Sequence, residues 1–193
     1  MQNKTVKLFA LGALAAATTF GASAENTYDY FVGFDAGVHL NSEIEATGLA
    51  AKLDRSEILG MSGGVTINDH HRIKMGLAYN PLEIDVEDGK EDRVDLKVSY
   101  DYLVPISEKL SWTVGGHVGY ETFEDYDDGD SNEMNGFIYG LQTGLDYRFA
   151  KNWSVGGEIG RTFHHAERAD ESDALYVQIV DDYTVMTNIQ YHF

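Results

Sequence analysis

The stretch DYTVMTNIQYHF, Asp182 to Phe193, decides the fold. Tyr183, Val185, Thr187, Ile189, Tyr191 and Phe193 share one parity, and Thr184, Met186, Asn188, Gln190 and His192 share the other. A strand sends alternate side chains to opposite faces, so this segment has one apolar, aromatic face and one mostly polar face. A soluble protein would have to bury such an aromatic end. A strand that closes a barrel in lipid leaves it outside, with Tyr191 and Phe193 at the water boundary.

Working outward, the same alternation recurs seven more times. Strands are expected at Tyr28–Leu40, Glu57–Ile67, Arg72–Leu82, Arg93–Val104, Leu110–Tyr120, Phe137–Phe149 and Trp153–Phe163. Leu175, Val177 and Ile179 keep the parity of the last strand, which is therefore expected to begin early. The lengths suit a bilayer, where ~9–11 residues span the hydrocarbon. Connections alternate long and short. Loops are expected at Asn41–Arg55, Glu83–Asp92, Glu121–Gly136 and His164–Ala174; tight turns at Asn68–His71, Pro105–Lys109 and Ala150–Asn152. Brief periplasmic turns and longer outer loops are the habit of outer-membrane barrels. The expected fold is all-β: an eight-stranded antiparallel up-and-down transmembrane barrel with both termini periplasmic. Rings crowd both predicted rims, with Tyr102, Trp112, Tyr147 and Trp153 at one and Tyr79, Tyr120, Phe137 and Phe163 at the other. Amphipathic rings favour the headgroup level.

The N-terminus agrees. Lys4 and Lys7 precede an apolar run, Leu8–Ala17, which leads to Ala22-Ser23-Ala24. Charged head, short apolar middle and small-residue end predict a secretory signal peptide over 1–24, removed to leave one barrel domain, 25–193. The formal net charge is −18, and removal of the two lysines makes the mature chain more acidic. Phosphate backbones require a basic face, so nucleic acid is excluded as a partner. Cysteine is absent, so no disulfide framework or thiolate metal site is expected.

The inward parity carries charges of both signs. Lys74, Arg93, Lys97 and Arg148 face Asp29, Asp35, Asp95, Asp101, Asp146 and Glu158. An eight-stranded barrel is only just wide enough for side chains to fill it, and charges in that space must pair or cost several kcal/mol. The expectation is a plugged lumen held by this charge network; the alternative is a narrow porin-like path for ions or small solutes. Inward glycines leave room in a tight barrel and relieve its curvature. His39, His117 and His192 are expected to join the network.

Other candidates are weaker. Asp125-Tyr126-Asp127-Asp128-Gly129-Asp130 is rich in the oxygens hard cations take, but Gly129 falls on a ligand position and the spacing misses an EF-hand loop. It is expected to be a solvated acidic loop. The pairs His70-His71 and His164-His165 point apart on an extended chain and are not expected to hold a metal. Arg161 is a basic residue of outward parity near the outer rim, able to snorkel to a phosphate.

The leader ending Ala22-Ser23-Ala24, the eight alternating segments and the terminal Ile189-x-Tyr191-x-Phe193 together resemble the small outer-membrane β-barrel superfamily, in the style of OmpX and the transmembrane domain of OmpA. The resemblance covers the whole mature chain. It implies that Ile189, Tyr191 and Phe193 form the signal read by the barrel assembly machinery. It implies outer-membrane lipid and lipopolysaccharide as surroundings, a host or surface ligand met through the loops, a monomer, and no cofactor. The peptidoglycan-binding domain that follows many OmpA-type barrels is not expected after Phe193. Members include adhesins, defence proteins, anchors, pores and a few enzymes, so a lipid A-modifying activity is a further alternative. One such enzyme family carries His-x-Ser-Asn on a lipid-facing strand, and His39-Leu40-Asn41-Ser42 has the wrong order. No Ser–His–acid set can be nominated from the sequence, and no enzyme is expected.

Overall fold

The computed structural model describes residues 26–46, 49–53, 57–83, 90–125, 135–164, 167–169 and 176–193. The predicted leader, most of the Asp125–Asp130 run, Leu175 and His165 lie outside them. The strands are β1 (Tyr28–Ala46), β2 (Leu49–Leu53), β3 (Glu57–Ile67), β4 (His71–Glu83), β5 (Lys90–Pro105), β6 (Leu110–Asp125), β7 (Gly136–Ala150), β8 (Trp153–His164), β9 (Glu167–Ala169) and β10 (Tyr176–His192). Eight of them, β1, β3–β8 and β10, form a closed antiparallel ring, sealed where β1 pairs with β10 from Phe31↔His192 to Ala46↔Val177. This is the expected eight-stranded barrel. Closure leaves no open edge in the spanning region, which is what hydrocarbon demands of a β-structure.

The polarity of the molecule is inverted relative to a soluble protein. Phe34, Leu77 and Leu141 on the outer face are 65%, 54% and 68% exposed, while Asn80, Glu121 and Gln190 inside are 0% exposed. Rings pack at both rims. Tyr120–Phe137 (5.2 Å between centroids) and Tyr139–Phe163 (5.3 Å) lie at the long-loop end; Trp153–Tyr191 (5.1 Å) and Tyr191–Phe193 (5.4 Å) lie at the turn end. The β3–β4 turn shows how the turn end is made. Asn68 and Asp69 have φ of 54° and 61°, and the His70 amide donates to the Ile67 carbonyl at 3.2 Å. Two left-handed residues in succession make the type I′ geometry that matches strand twist, and Asn and Asp tolerate it.

The loop end differs from the sequence expectation. The predicted loop Asn41–Arg55 is instead the continuation of β1 to Ala46 followed by β2, which pairs back onto it from Ser42↔Leu53 to Ala46↔Leu49. β6 runs on to Asp125, so Glu121 belongs to the wall rather than to a loop. β8 ends at His164, one residue later than expected. β10 begins at Tyr176, in keeping with an early start. The reason is common to the first three. Beyond the lipid a strand needs no apolar face, so the alternation that marks a spanning strand fades while the hydrogen-bonded ladder continues.

Interior glycines set how closely strands and fillers approach. A Cβ at Gly64 would stand 2.8 Å from the Phe31 ring, and one at Gly140 would stand 2.6 Å from the His117 ring. Phe31 therefore turns into the lumen, 2% exposed, although its neighbours on that face are polar.

Candidate functional site: a charged lumen with two ion-pair clusters

At the loop end, six strands of the ring contribute to one buried cluster. Arg93 on β5 is its centre. Its Nε lies 3.1 Å from Asp95 Oδ1, and its Nη2 donates to Asp95 Oδ2 at 3.3 Å. It also stands 3.9 Å from Glu121 Oε2 on β6 and 3.9 Å from Asp182 Oδ2 on β10. Asn80 on β4 donates to Asp95 Oδ2 at 3.1 Å, and its Oδ1 is 3.0 Å from His39 Nε2 on β1. The other nitrogen of His39 contacts Asp182. His164 on β8 sits between carboxylates, Nδ1 2.9 Å from Glu121 Oε2 and Nε2 4.0 Å from Asp182 Oδ2. Lys97 supports Asp95 from below at 3.4 Å. None of these residues except Lys97 exceeds 3% exposure. A guanidinium offers five donors in a rigid fork, so one arginine can face acids from three strands.

The turn end has its own cluster. Arg72 Nη2 on β4 stands 3.0 Å from Asp146 Oδ2 on β7 as an ion pair, and its guanidinium lies 5.5 Å from the centre of the Phe31 ring. The His192 ring lies 5.7 Å from the Phe31 ring, tilted by 42°. Arg148 pairs with Asp29, and His192 Nδ1 is 3.0 Å from the same carboxylate.

Between the two clusters is a cavity of about 80 Å³, lined among others by Asp35, Ser62, Lys74, Lys97, His117 and Asn188. That is room for a few water molecules. His117 is tied to Gln142 (2.8 Å) and Thr162 (3.1 Å), and Gln142 donates to Asp101 at 2.6 Å. Lys74 faces Glu158 at 3.7 Å.

The structure thus brings eight of the ten predicted lumen charges into ion pairs. Asp101 is satisfied by an amide instead of a cation. Asp35 makes no hydrogen bond or ion pair among the described residues, although it faces the cavity. Arg72, Glu121, His164 and Asp182 are also part of the lumen but are not among the ten. Arg72 has the right parity. The other three stand at strand ends that read as loop or as strand start, where an expected boundary hides the parity. Ile189, Tyr191 and Phe193 all point outward, 43%, 37% and 74% exposed.

One constellation has no sequence signal. Ser154 Oγ lies 3.0 Å from His192 Nε2, and His192 Nδ1 lies 3.0 Å from Asp29 Oδ2. The order is that of a Ser–His–Asp set. Its surroundings do not suit nucleophilic catalysis. Ser154 is 0% exposed, so no substrate reaches its hydroxyl. Arg148 Nη2 stands 2.6 Å from His192 Nδ1 and shares Asp29 with it. The guanidinium thereby competes for the carboxylate that would orient and stabilise an imidazolium. The arrangement clamps the end of β10 to β8 and β1. Among the described residues no group of three or more His, Asp or Glu is placed to hold a metal ion.

Comparison with known proteins places the fold. The family model described as outer membrane protein beta-barrel domain matches residues 12–193. The chain is similar to the crystal structure of Neisserial surface protein A, with TM-score 0.65 and 14% identity over 85% of this chain and 97% of that one. It is similar to the solution structure of outer membrane protein H from P. aeruginosa, with TM-score 0.57 and 22% identity over 86% and 99%. It is also similar to a major outer membrane protein from Thermus thermophilus, with TM-score 0.57 and 13% identity over 86% and 100%. No curated protein sequence matches the chain.

Proposed function

The chain belongs to the outer-membrane protein β-barrel domain family, and from that premise we propose that it is a non-enzymatic barrel with an occluded lumen and acidic loops turned to the environment. Its place is the outer membrane. Both termini and the three tight turns face the periplasm in this reading, and residues 1–24 are a leader removed on export. The carrying observation is the double closure: Arg93 with Asp95, Glu121 and Asp182 at one level, Arg72 with Asp146 and Phe31 at the other. Ions crossing the bore would have to break buried pairs, which costs several kcal/mol each. The work of such a protein lies in its surface: stabilising the envelope, contacting lipopolysaccharide, or binding a host or surface ligand through the loops. Ile189, Tyr191 and Phe193 present an outward stripe to the assembly machinery.

The test is a planar-bilayer recording of the purified chain. Silence at neutral pH is expected, with sensitivity to detergents and large antibiotics in a strain lacking the protein. Steady ion-selective openings sink the occluded reading. The second reading, a narrow channel, draws on the central cavity and on Asp95 being shared by Arg93 and Lys97, which offers a route for exchanging partners. Recordings that open on substitution of Arg93 alone would mark it as the gate.

A further inference from the structure

The geometry points to a monovalent-cation site inside the barrel, in the chamber between the two closures, centred on Asp35. The inference goes beyond the reading above: it uses the closed bore and makes no use of the loops.

Charge balance is the first argument. Besides His39, His164 and His192, which stand against Asp182, Glu121 and Asp29, the described lumen holds five arginines and lysines, Arg72, Lys74, Arg93, Lys97 and Arg148, against eight acids: Asp29, Asp35, Asp95, Asp101, Glu121, Asp146, Glu158 and Asp182. The nearby bases are already committed. Lys97 is engaged by Asp95 at 3.4 Å and Lys74 by Glu158 at 3.7 Å. His117 directs both ring nitrogens to the neutral groups of Gln142 and Thr162. Asp35 is half-buried and is left with no hydrogen bond or ion pair among the described residues, facing a cavity of about 80 Å³. An ionised carboxylate on a partly enclosed, acid-rich wall focuses the field there and draws counter-ions to it.

The second argument is independent of charge. Two oxygens lining the same chamber are buried without a hydrogen-bond partner, Ser62 Oγ and Asn188 Oδ1. Both residues are only 9% exposed. Asn188 is the direct cross-strand partner of Asp35, and Ser62 is that of Gly33, one step along the same inward face. A carboxylate, an amide oxygen and a hydroxyl oxygen thus open on one small space. Oxygen donors of mixed charge suit a hard cation. A divalent ion is disfavoured: calcium takes six to eight oxygens at ~2.3–2.6 Å, and no three acidic or histidine side chains converge here among the described residues. A sodium- or potassium-like ion keeping part of its water shell fits the chamber and neutralises Asp35.

The test uses anomalous scattering from crystals of the folded full chain soaked in rubidium chloride, with choline chloride as control. One rubidium peak is expected in the chamber, within direct or water-bridged reach of Asp35. Asp35→Asn should reduce its occupancy at least tenfold, while Lys74→Met, which deepens the negative excess, should retain it. Ser62→Ala supplies a second loss-of-site variant should Asp35→Asn fold poorly. No chamber peak at saturating rubidium, peaks confined to the outer surface, or a chamber peak unchanged by Asp35→Asn and Ser62→Ala each overturns the proposal. A conductance recording that contradicted the occluded lumen would leave this readout separate, because the peak reports occupancy and the recording reports passage.

Discussion

Replacing Arg93 by Met keeps most of the side-chain volume and removes the charge that organises the loop-end cluster. The consequence can be worked from the contacts. Asp95, Glu121 and Asp182 are 1%, 0% and 1% exposed, so none can recover hydration when the guanidinium goes. Removing one partner of a buried ion pair costs about 3–5 kcal/mol. Two facts place this case near the lower bound. Lys97 still supports Asp95 at 3.4 Å, and the contacts to Glu121 and Asp182 are long at 3.9 Å. The expected loss is therefore about 3 kcal/mol. It is measurable by urea titration in lipid vesicles, following Trp112 and Trp153, which lie on the outer face, 45% and 41% exposed. The double variant Arg93→Met with Asp95→Asn should recover part of the loss, since the orphaned charge is gone. A loss below about 1 kcal/mol, the level of an exposed pair, would refute a dry closure, as would a double variant whose losses simply add.

Leu141→Arg places a charge on the lipid face and should cost about 2–4 kcal/mol in the same titration; a neutral result would mean that this face does not meet hydrocarbon. Gly140→Ala drives a methyl into the Arg161 carbonyl oxygen and to 2.6 Å from the His117 ring, and should cost about 1–3 kcal/mol, with His117→Ala relieving only the smaller part because the backbone clash stays. Asp69→Gly frees the left-handed residue at φ 61° and should raise stability by about 0.5 kcal/mol; a decrease would show that the Asp side chain contributes more to the turn than the backbone strain costs. A fluorophosphonate probe should leave the folded protein unlabelled, because Ser154 is sealed from solvent; stoichiometric labelling at Ser154 would reverse the non-enzymatic reading.

The sequence by itself determined the barrel. Parity is a local property: every second residue from Tyr183 to Phe193 faces out because a strand is pleated, and eight such runs with alternating long and short connections admit one closed arrangement. It also determined which side of the wall each charge occupies within the spanning strands, from Arg72 and Lys74 on β4 to Arg148 on β7. It misplaces the strand ends above the lipid, where Glu121 and His164 read as loop, because no apolar face is required there. The tertiary structure alone decided the pairings. Whether Arg93 meets Asp95, Glu121 or Asp182, and whether Asp35 meets any base at all, depends on the stagger between strands and on the height each side chain reaches in the bore. Those are sums over eight ladders, from Phe31↔His192 around to Tyr191↔Trp153, and no single stretch of chain contains them.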